Sequence, residues 1–442
     1  WWLASSWSTN GRSALKHELT SVAEPNYENL PVNEELVQLA KTAAKQGRPV
    51  YLATAGDGPI ATQLARHFSF LTGIISDGGA DLNGEAKAAA LARRFPEGFD
   101  YAGYARADLA VCRIARTAIL VPMSQQSRRR AHGMGTFAEY FKSRSGVRDL
   151  VRGLRSQHWT KNLLVFVPIL LAGQLADWPA LSNTMLAFVA IGMVASATYL
   201  INDMLDLADD RTHWSKRYRP LASGRLPIEV AAIIAPLGIL LGLLTGIMAS
   251  VQVAGFLALY LLVTLAYSFG LKRIPVVDGL VLAALFTIRL AIGIVAAGVR
   301  PSSWLLVFSM FLFASLGYAK RYTEVARATR QGNDVVRARG YRGADAPLLL
   351  ALGVGAGLGA VLIMILYIIH DAFPQTFYGN TIGLWFLPPL LFLFVARIWL
   401  VCQRCVMNDD PVDFALKDRS SLVLGALMTI CFGFAWLGPN WN

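Results

Sequence analysis

From residue 162 to residue 437 the chain is a succession of apolar runs, at about 162–176, 181–201, 229–247, 250–270, 276–298, 303–319, 347–369, 381–401 and 421–437. Most are near the roughly 20 residues that an α-helix needs to cross about 30 Å of hydrocarbon. A segment in lipid must pair its own backbone amides, so runs of this kind are helices. The expectation is an all-α polytopic membrane domain of about nine transmembrane helices. The first and last runs are short for a span, and the third and fourth are parted by little more than MASVQ. Composition points the same way, because 55% hydrophobic and 16% charged residues, with a mean hydropathy of +0.44, exclude an ordinary soluble enzyme.

The net charge of +12 raises the question of nucleic acid, but the placement of the bases answers it. The connections after the second, fourth, sixth and eighth runs hold Arg211, Lys216, Arg217, Arg219 and Arg225; Lys272 and Arg273; seven basic residues from Lys320 to Arg342; and Arg404, Lys417 and Arg419. Those after the first, third, fifth and seventh hold only Arg300. Lys and Arg collect in cytoplasmic loops, so the even-numbered connections and the N-terminal region are expected in the cytoplasm and the C-terminus outside a plasma membrane. No nucleic-acid partner is implied, and a homo-oligomer is left open. The four cysteines form no disulfide framework, and the pair Cys402 and Cys405 reads as filler at a helix end. The chain begins at Trp1 without an initiator Met, as expected of a processed chain or of the later part of a longer protein.

Before the apolar runs, residues 31–121 read as a small soluble α/β unit. RPVYLATAG (48–56), TGIISD (72–77), FDYAGY (99–104) and RTAILVP (116–122) are strand-like and alternate with helical patterns through His67 and over 84–95. Between this unit and the first run, Arg128–Arg130, Lys142, Arg144, Arg148, Arg152, Arg155 and Lys161 suit either a solvated linker or a surface against anionic headgroups. A role for Arg155, His158 or Lys161 beside an active mouth stays open. The expected division is 1–125 for the α/β domain, 126–160 for a basic interfacial linker and 161–442 for the membrane domain.

The stretch NDMLDLADD places Asp203, Asp206 and Asp210 at i, i+3 and i+7, close to one face if the helix continues. Three like charges there are costly unless a cation sits among them. Mg²⁺ takes hard oxygen ligands and is commonly held by one or two carboxylates together with substrate phosphates. Asn202 adds an amide for a phosphate oxygen, a sugar hydroxyl or a metal-bound water. Lys216 and Arg219 follow, positioned to neutralise charge on a departing phosphate, and Pro220 ends any helix through Arg219. A solvated loop with mixed charges is the plain alternative, but comparable loops in this chain lack such a triplet.

Charges within or beside apolar runs are expensive and usually functional. Asp278 and Arg289 flank GLVLAALFTI about three turns apart, at different depths; Asp278 also suits a simple helix-start charge. Lys272 with Arg273, and Lys320 with Arg321, stand at the cytoplasmic ends of the fourth and sixth runs, and Glu324 either binds metal or pairs with Lys320. Asp413, Lys417 and Asp418 carry a weaker claim.

These residues resemble the UbiA superfamily of intramembrane prenyltransferases, whose NDxxDxxxD motif matches Asn202, Asp203, Asp206 and Asp210, and whose continuation matches Lys216, Arg219, Pro220, Ala222 and Gly224. The resemblance covers about 152–437 and implies nine helices around a cavity open to the cytoplasm and to lipid, with Mg²⁺ as cofactor. Most members carry a second aspartate motif after the sixth helix, where this chain reads GYAKRYTEVARATRQGND. In that departure, and in LRSQHWTKNLLVFVPILLAG, KRYTE and DPVDFALKDRSS, the chain is similar to the decaprenyl-phosphate phosphoribosyltransferase branch of wall arabinan synthesis.

The likeness implies phosphoribosyl diphosphate as donor and a polyprenyl phosphate as acceptor, with Lys320 and Arg321, or Lys272 and Arg273, for the additional 5-phosphate. The acceptor chain would lie between helices, near residues such as 281–294. A prenyl transferase acting from prenyl diphosphate on an aromatic or other small acceptor is the alternative; a transporter would need pathway charges near midplane. The first domain resembles the haloacid dehalogenase phosphatases through Thr54, Lys87 and Asp108, with Tyr104 near the place of a second acid. It lacks the DxDxT nucleophile motif, so it is expected to be an incomplete and inactive unit of that kind.

Overall fold

A computed structural model describes residues 32–54, 58–75, 84–103, 108–120, 137–140, 147–213, 215–332, 335–336, 339–372, 381–404, 407, 411–415 and 417–437. Tyr104, Arg128–Arg130, Lys142, Arg144, Cys405 and the side chain of Asp413 lie outside the described residues. The chain divides into two compact units, one of residues up to Val151 together with Leu207–Pro227, the other of Arg152–Asp206 with Ile228–Asn442. The dividing line thus falls inside the expected linker, and the basic tail of the acidic motif goes with the first unit.

In the first unit the order is α1 (Glu34–Lys45), β1 (Tyr51–Ala53), α2 (Gly58–His67), β2 (Gly73–Ile75), α3 (Gly84–Arg94), β3 (Asp100–Gly103), α4 (Leu109–Ile114), β4 (Thr117–Leu120) and β5 (Phe137–Tyr140). β1 pairs parallel with β2, and β3, β4 and β5 form a second parallel sheet. Parallel strands need a crossover, which the intervening helices provide. The four expected strands are present, each shortened to its apolar centre. Ala88, Leu91, Tyr101, Val111, Cys112 and Ala118 form the core, with Ala53 and Ile75 packed on it. Burial and the nearby Asp108 carboxylate push the Cys112 thiol up to about 11.

In the second unit α5 (Val147–Gly153), which begins in the first, gives way to a 3₁₀ stretch over Ser156–Phe166 and a short helix α6 (Val167–Leu171). This segment takes the place of the first apolar run and is too short and irregular to span by itself. It is held by close approach instead: Trp159 lies against Gly192 and donates to the Ser196 hydroxyl at 3.0 Å, while a Cβ on Gly293 would stand 2.1 Å from the Val165 carbonyl oxygen. Among the described residues, the remaining eight runs appear as eight helices long and apolar enough to cross a membrane. The principal ones are α7 (Trp178–Leu205), α9 (Ile228–Ala249), α10 (Val251–Phe269), α11 (Val277–Ala297), α12 (Ser303–Arg330), α13 (Ala346–Tyr367), α14 (Leu387–Gln403) and α16 (Arg419–Leu437); short helices α8 (Leu207–Thr212) and α15 (Pro411–Ala415) lie between.

The helix starts are chemical. Asp177 accepts from the Ala180 amide, Ser302 from Leu305, and Ser250 from Val253, so a single serine cap separates α9 from α10. Two apolar clusters knit the bundle, one around Ala283, Phe313, Leu349, Val395 and Ile398, the other around Val165, Ala190, Val194, Leu257 and Ile292. The sixth run, expected to end near residue 319, continues as helix to Arg330, so Lys320, Arg321 and Glu324 sit on a helix wall and not in a loop.

Candidate functional site

α7 ends at Leu205. Asp206 is its C-cap, with ψ of 9°, and Asp210 lies on the separate helix α8. The single acidic face expected over i, i+3 and i+7 is therefore interrupted.

Asp203 is 3% exposed and receives the guanidinium of Arg155. Arg155 adopts the left-handed region, φ +50°, which a non-glycine residue rarely occupies, and its guanidinium stands 5.1 Å from the Tyr199 ring centre. Asp206 receives the ammonium of Lys272, which is 4% exposed, and also the Asn202 amide at 3.1 Å. The Lys272 ammonium also donates to the Asn202 side-chain amide oxygen at 3.4 Å. Asn202, Asp203, Asp206, Lys272 and Arg155 thus make one polar cluster of carboxylates, amide and bases at the end of α7.

In the other unit Asp210, 2% exposed, receives Arg219, with Lys216 at 3.9 Å. Lys216–Tyr218 form one 3₁₀ turn, and Arg219 leaves it extended, with ψ of 148°, as the residue before a proline must. The turn is fastened by the Ser223 amide on the Arg219 carbonyl and the Leu226 amide on the Pro220 carbonyl. Leu221 and Ala222 are buried beneath it. Arg225 reaches Asp149 at 3.8 Å, and His213 accepts from the amides of Ser215 and Lys216.

The other expected residues divide. Asp278 is fully buried and receives Arg321 and the Tyr341 hydroxyl; Arg321, 1% exposed, also reaches Glu324 at 2.6 Å and the Tyr267 hydroxyl at 2.9 Å. Glu324 therefore pairs with Arg321 and is also within electrostatic reach of Lys320, the pairing that its i+4 spacing offered beside metal binding. Arg339 donates to the same Tyr267 hydroxyl at 2.7 Å. Arg289 is occupied elsewhere, by the Asn162 amide oxygen at 3.0 Å and the Tyr260 hydroxyl at 2.9 Å. The Arg273 side chain is exposed and Lys320 half-buried. Asp278, Arg289 and Arg321 are thus wall-forming groups with their hydrogen bonds spent on the protein. Asn162, Tyr260, Tyr267 and Tyr341 carried no spacing signal, because a tyrosine or asparagine in an apolar helix looks like ordinary filler.

Among the described residues no three His, Cys, Asp or Glu side chains converge as a metal cage. Mg²⁺ does not require one: it keeps waters and substrate phosphate oxygens and takes one or two carboxylates from the protein. Asp203, Asp206 and Asn202 supply hard oxygens of that kind, so the donor set fits the ion. An apolar cavity of about 180 Å³ is lined by Val167, Leu171, Phe308, Met364, Leu384 and Phe432 among others. Residues 281–294, expected beside a lipid chain, are not among them. In the first unit Asp108 accepts from the Tyr101 hydroxyl at 2.8 Å and stands 3.3 Å from the Lys87 ammonium, all three buried.

Among the described residues, eight helices long and apolar enough to cross a membrane, with a carboxylate, amide and base cluster at the end of α7, suit a membrane-embedded transferase. The chain belongs to the UbiA prenyltransferase family, which matches residues 163–437. It is 36% identical over 428 residues to the uncharacterized protein y4nM of Sinorhizobium fredii, covering 96% of this chain and 83% of that one. It is 31% identical over 278 residues to the decaprenyl-phosphate phosphoribosyltransferase of Mycobacterium tuberculosis, covering 62% of this chain and 89% of that one. The structure of a UbiA homolog from Archaeoglobus fulgidus bound to GPP and Mg²⁺ superposes with a TM-score of 0.51 at 15% identity, covering 65% of this chain and 98% of that one. At that identity the likeness speaks for the fold.

Proposed function

We propose that the protein transfers 5-phosphoribose from phosphoribosyl diphosphate to a polyprenyl phosphate of the decaprenyl class, in a Mg²⁺-dependent reaction that feeds arabinan precursor synthesis. The observation that carries this reading is the likeness to a phosphoribosyltransferase along 89% of that protein's length. The absence of a DxxxD motif in GYAKRYTEVARATRQGND supports it.

Asp203 and Asp206, with Asn202, are the proposed ligands of the metal, which when bound would gather the diphosphate oxygens and draw charge from the leaving group. Asp210 is assigned to the same motif through its register in the sequence. Lys216 and Arg219 are the proposed partners of the departing diphosphate, whose charge grows as the C1–oxygen bond weakens. Lys272 and Arg155, now on Asp206 and Asp203, become donors to phosphate oxygens once those carboxylates turn to a cation. The acceptor phosphate is already an anion and needs no strong base to attack C1. Asp278, Arg289, Arg321 and Glu324 hold the surrounding helices in place, and Lys320 and Arg273, next in sequence to Arg321 and Lys272, are the proposed partners of the 5-phosphate. The proposed location is the plasma membrane, with the basic connections cytoplasmic, and the N-terminal unit serves docking or regulation without phosphatase chemistry.

The test is direct. Purified protein with Mg²⁺, polyprenyl phosphate and labelled phosphoribosyl diphosphate should carry label into the lipid phase. No transfer there, with transfer from a prenyl diphosphate to an aromatic acceptor, would overturn the reading in favour of ordinary prenyl transfer.

A further inference from the structure

The residues that follow α12 return to the bundle at Gly340 and Tyr341. Tyr341 lies outside every candidate span, yet it is 1% exposed. Its hydroxyl accepts the Val276 amide at 2.8 Å and donates to the Asp278 carboxylate. Burial and that carboxylate hold the phenol well above its ordinary range, so it stays a donor at any physiological pH. Val276 has φ of +68°, a conformation that a β-branched residue adopts only when its surroundings hold it there. Gly340 bears on the same turn: its φ is +72°, and a Cβ there would stand 2.5 Å from the Arg273 carbonyl oxygen. Two consecutive residues thus press on Arg273–Val276 from one side.

Lys272 heads this turn. It sits in the single 3₁₀ turn Leu271–Arg273 that ends α10, and its ammonium lies on Asp206 and near Asn202. A long flexible side chain delivered into a buried site needs its backbone fixed; the described backbone bonds here are local, Arg273 to the Gly270 carbonyl, Ile274 to Leu271, Val277 to Pro275, Asp278 to Ile274 and Leu280 to Val276, and the side chains that fasten the turn from other elements are Tyr341 on the Val276 amide and Tyr318 on the Val276 carbonyl at 3.3 Å. We propose that Tyr341 is a positioning residue, its hydroxyl fixing the Arg273–Val276 turn in the geometry that brings Lys272 to Asp206. The inference rests on the function proposed above only in treating Asp206 as part of the diphosphate site.

Tyr341→Phe tests it with little risk to the fold, because Asp278 keeps Arg321. The readout is the rate at which an amine-reactive acetyl ester modifies Lys272 in the full-length protein in micelles, followed by mass spectrometry with Lys161 and Lys417 as references. Losing a buried hydrogen bond that restrains the turn should raise the Lys272 rate about tenfold and leave the references unchanged. Gly340→Ala should do the same by pushing the strap off Arg273. An unchanged Lys272 rate in both variants overturns the proposal, and so does an equal rise at all three lysines, which would mean a general loss of structure. A second measurement uses Mg²⁺ with inorganic pyrophosphate: Tyr341→Phe should weaken its binding in the wild-type background and add no loss to Lys272→Met. If wild-type protein binds no pyrophosphate, the functional reading fails while the labelling result still decides the role of Tyr341.

Discussion

Asp203 and Asp206 each meet a base that lies far away in the chain, Arg155 at 48 residues and Lys272 at 66. The acids were visible in the sequence because their spacing is local and repeats a motif. The bases were harder to assign, since a cytoplasmic loop of a membrane protein is basic whether or not it serves a site. Asp203→Asn keeps the size and one acceptor oxygen for Arg155 but removes the charge that a metal needs. Transfer activity should fall at least about a hundredfold, while the thermal transition in detergent stays cooperative. Retention of the full rate would remove Asp203 from the mechanism. A buried carboxylate that already has a guanidinium partner is not a bare metal ligand, so the proposed cation binding at Asp203 would be an exchange of partners with Arg155.

At the scale of single elements, caps and small residues decide where the helices lie. α16 begins after Asp418, whose carboxylate accepts from the Ser421 amide and hydroxyl, both at 2.9 Å, and from Arg397 at 3.0 Å. The Arg397 hydrogen bond holds the Asp418 carboxyl below its usual range, with the Ser421 bonds acting in the same direction. A lowered folded value means that the stabilisation is present above the unfolded carboxylate range, near pH ~4, and is lost as pH falls through the folded value. Replacing Asp418 by Ala should therefore lower stability by about 1 kcal/mol at pH 7. The difference between variant and wild type should shrink below that range, which thermal unfolding at pH 7 and pH 3 would measure. An equal difference at both values would mean that the charge contributes nothing. The sequence showed Asp418 as one member of DPVDFALKDRSS; its cap role needed the neighbouring helix that carries Arg397.

At the scale of the whole molecule, the alternation of basic and neutral connections makes a topological prediction. A single cysteine placed at Gln331, after α12, should be protected from a membrane-impermeant thiol reagent in intact cells. One placed at Gln174, between α6 and α7, should react. The reverse pattern would invert the proposed orientation and move the acidic cluster to the outer face. The 3₁₀ segment Ser156–Phe166 also belongs to this scale. Its hydropathy suggested a ninth span, yet its path follows small residues on two other helices, Gly192 and Gly293, where Trp159 and the Val165 carbonyl fit.

The sequence by itself located the eight long apolar helices seen among the described residues, because hydrocarbon thickness and backbone pairing leave an apolar run of about 20 residues few alternatives; it overcounted by the first run and missed the extension of the sixth helix to Arg330. It also singled out the acidic motif, whose hard oxygens at close spacing, followed by bases, are the proposed partners of a metal-bound phosphate. Tertiary structure alone decided which base serves which acid, where α7 breaks its acidic face at Asp206, and that Arg321 and Arg289 spend their donors on buried partners. Those outcomes depend on contacts between residues tens of positions apart, which carry no period and leave no local signature in the chain.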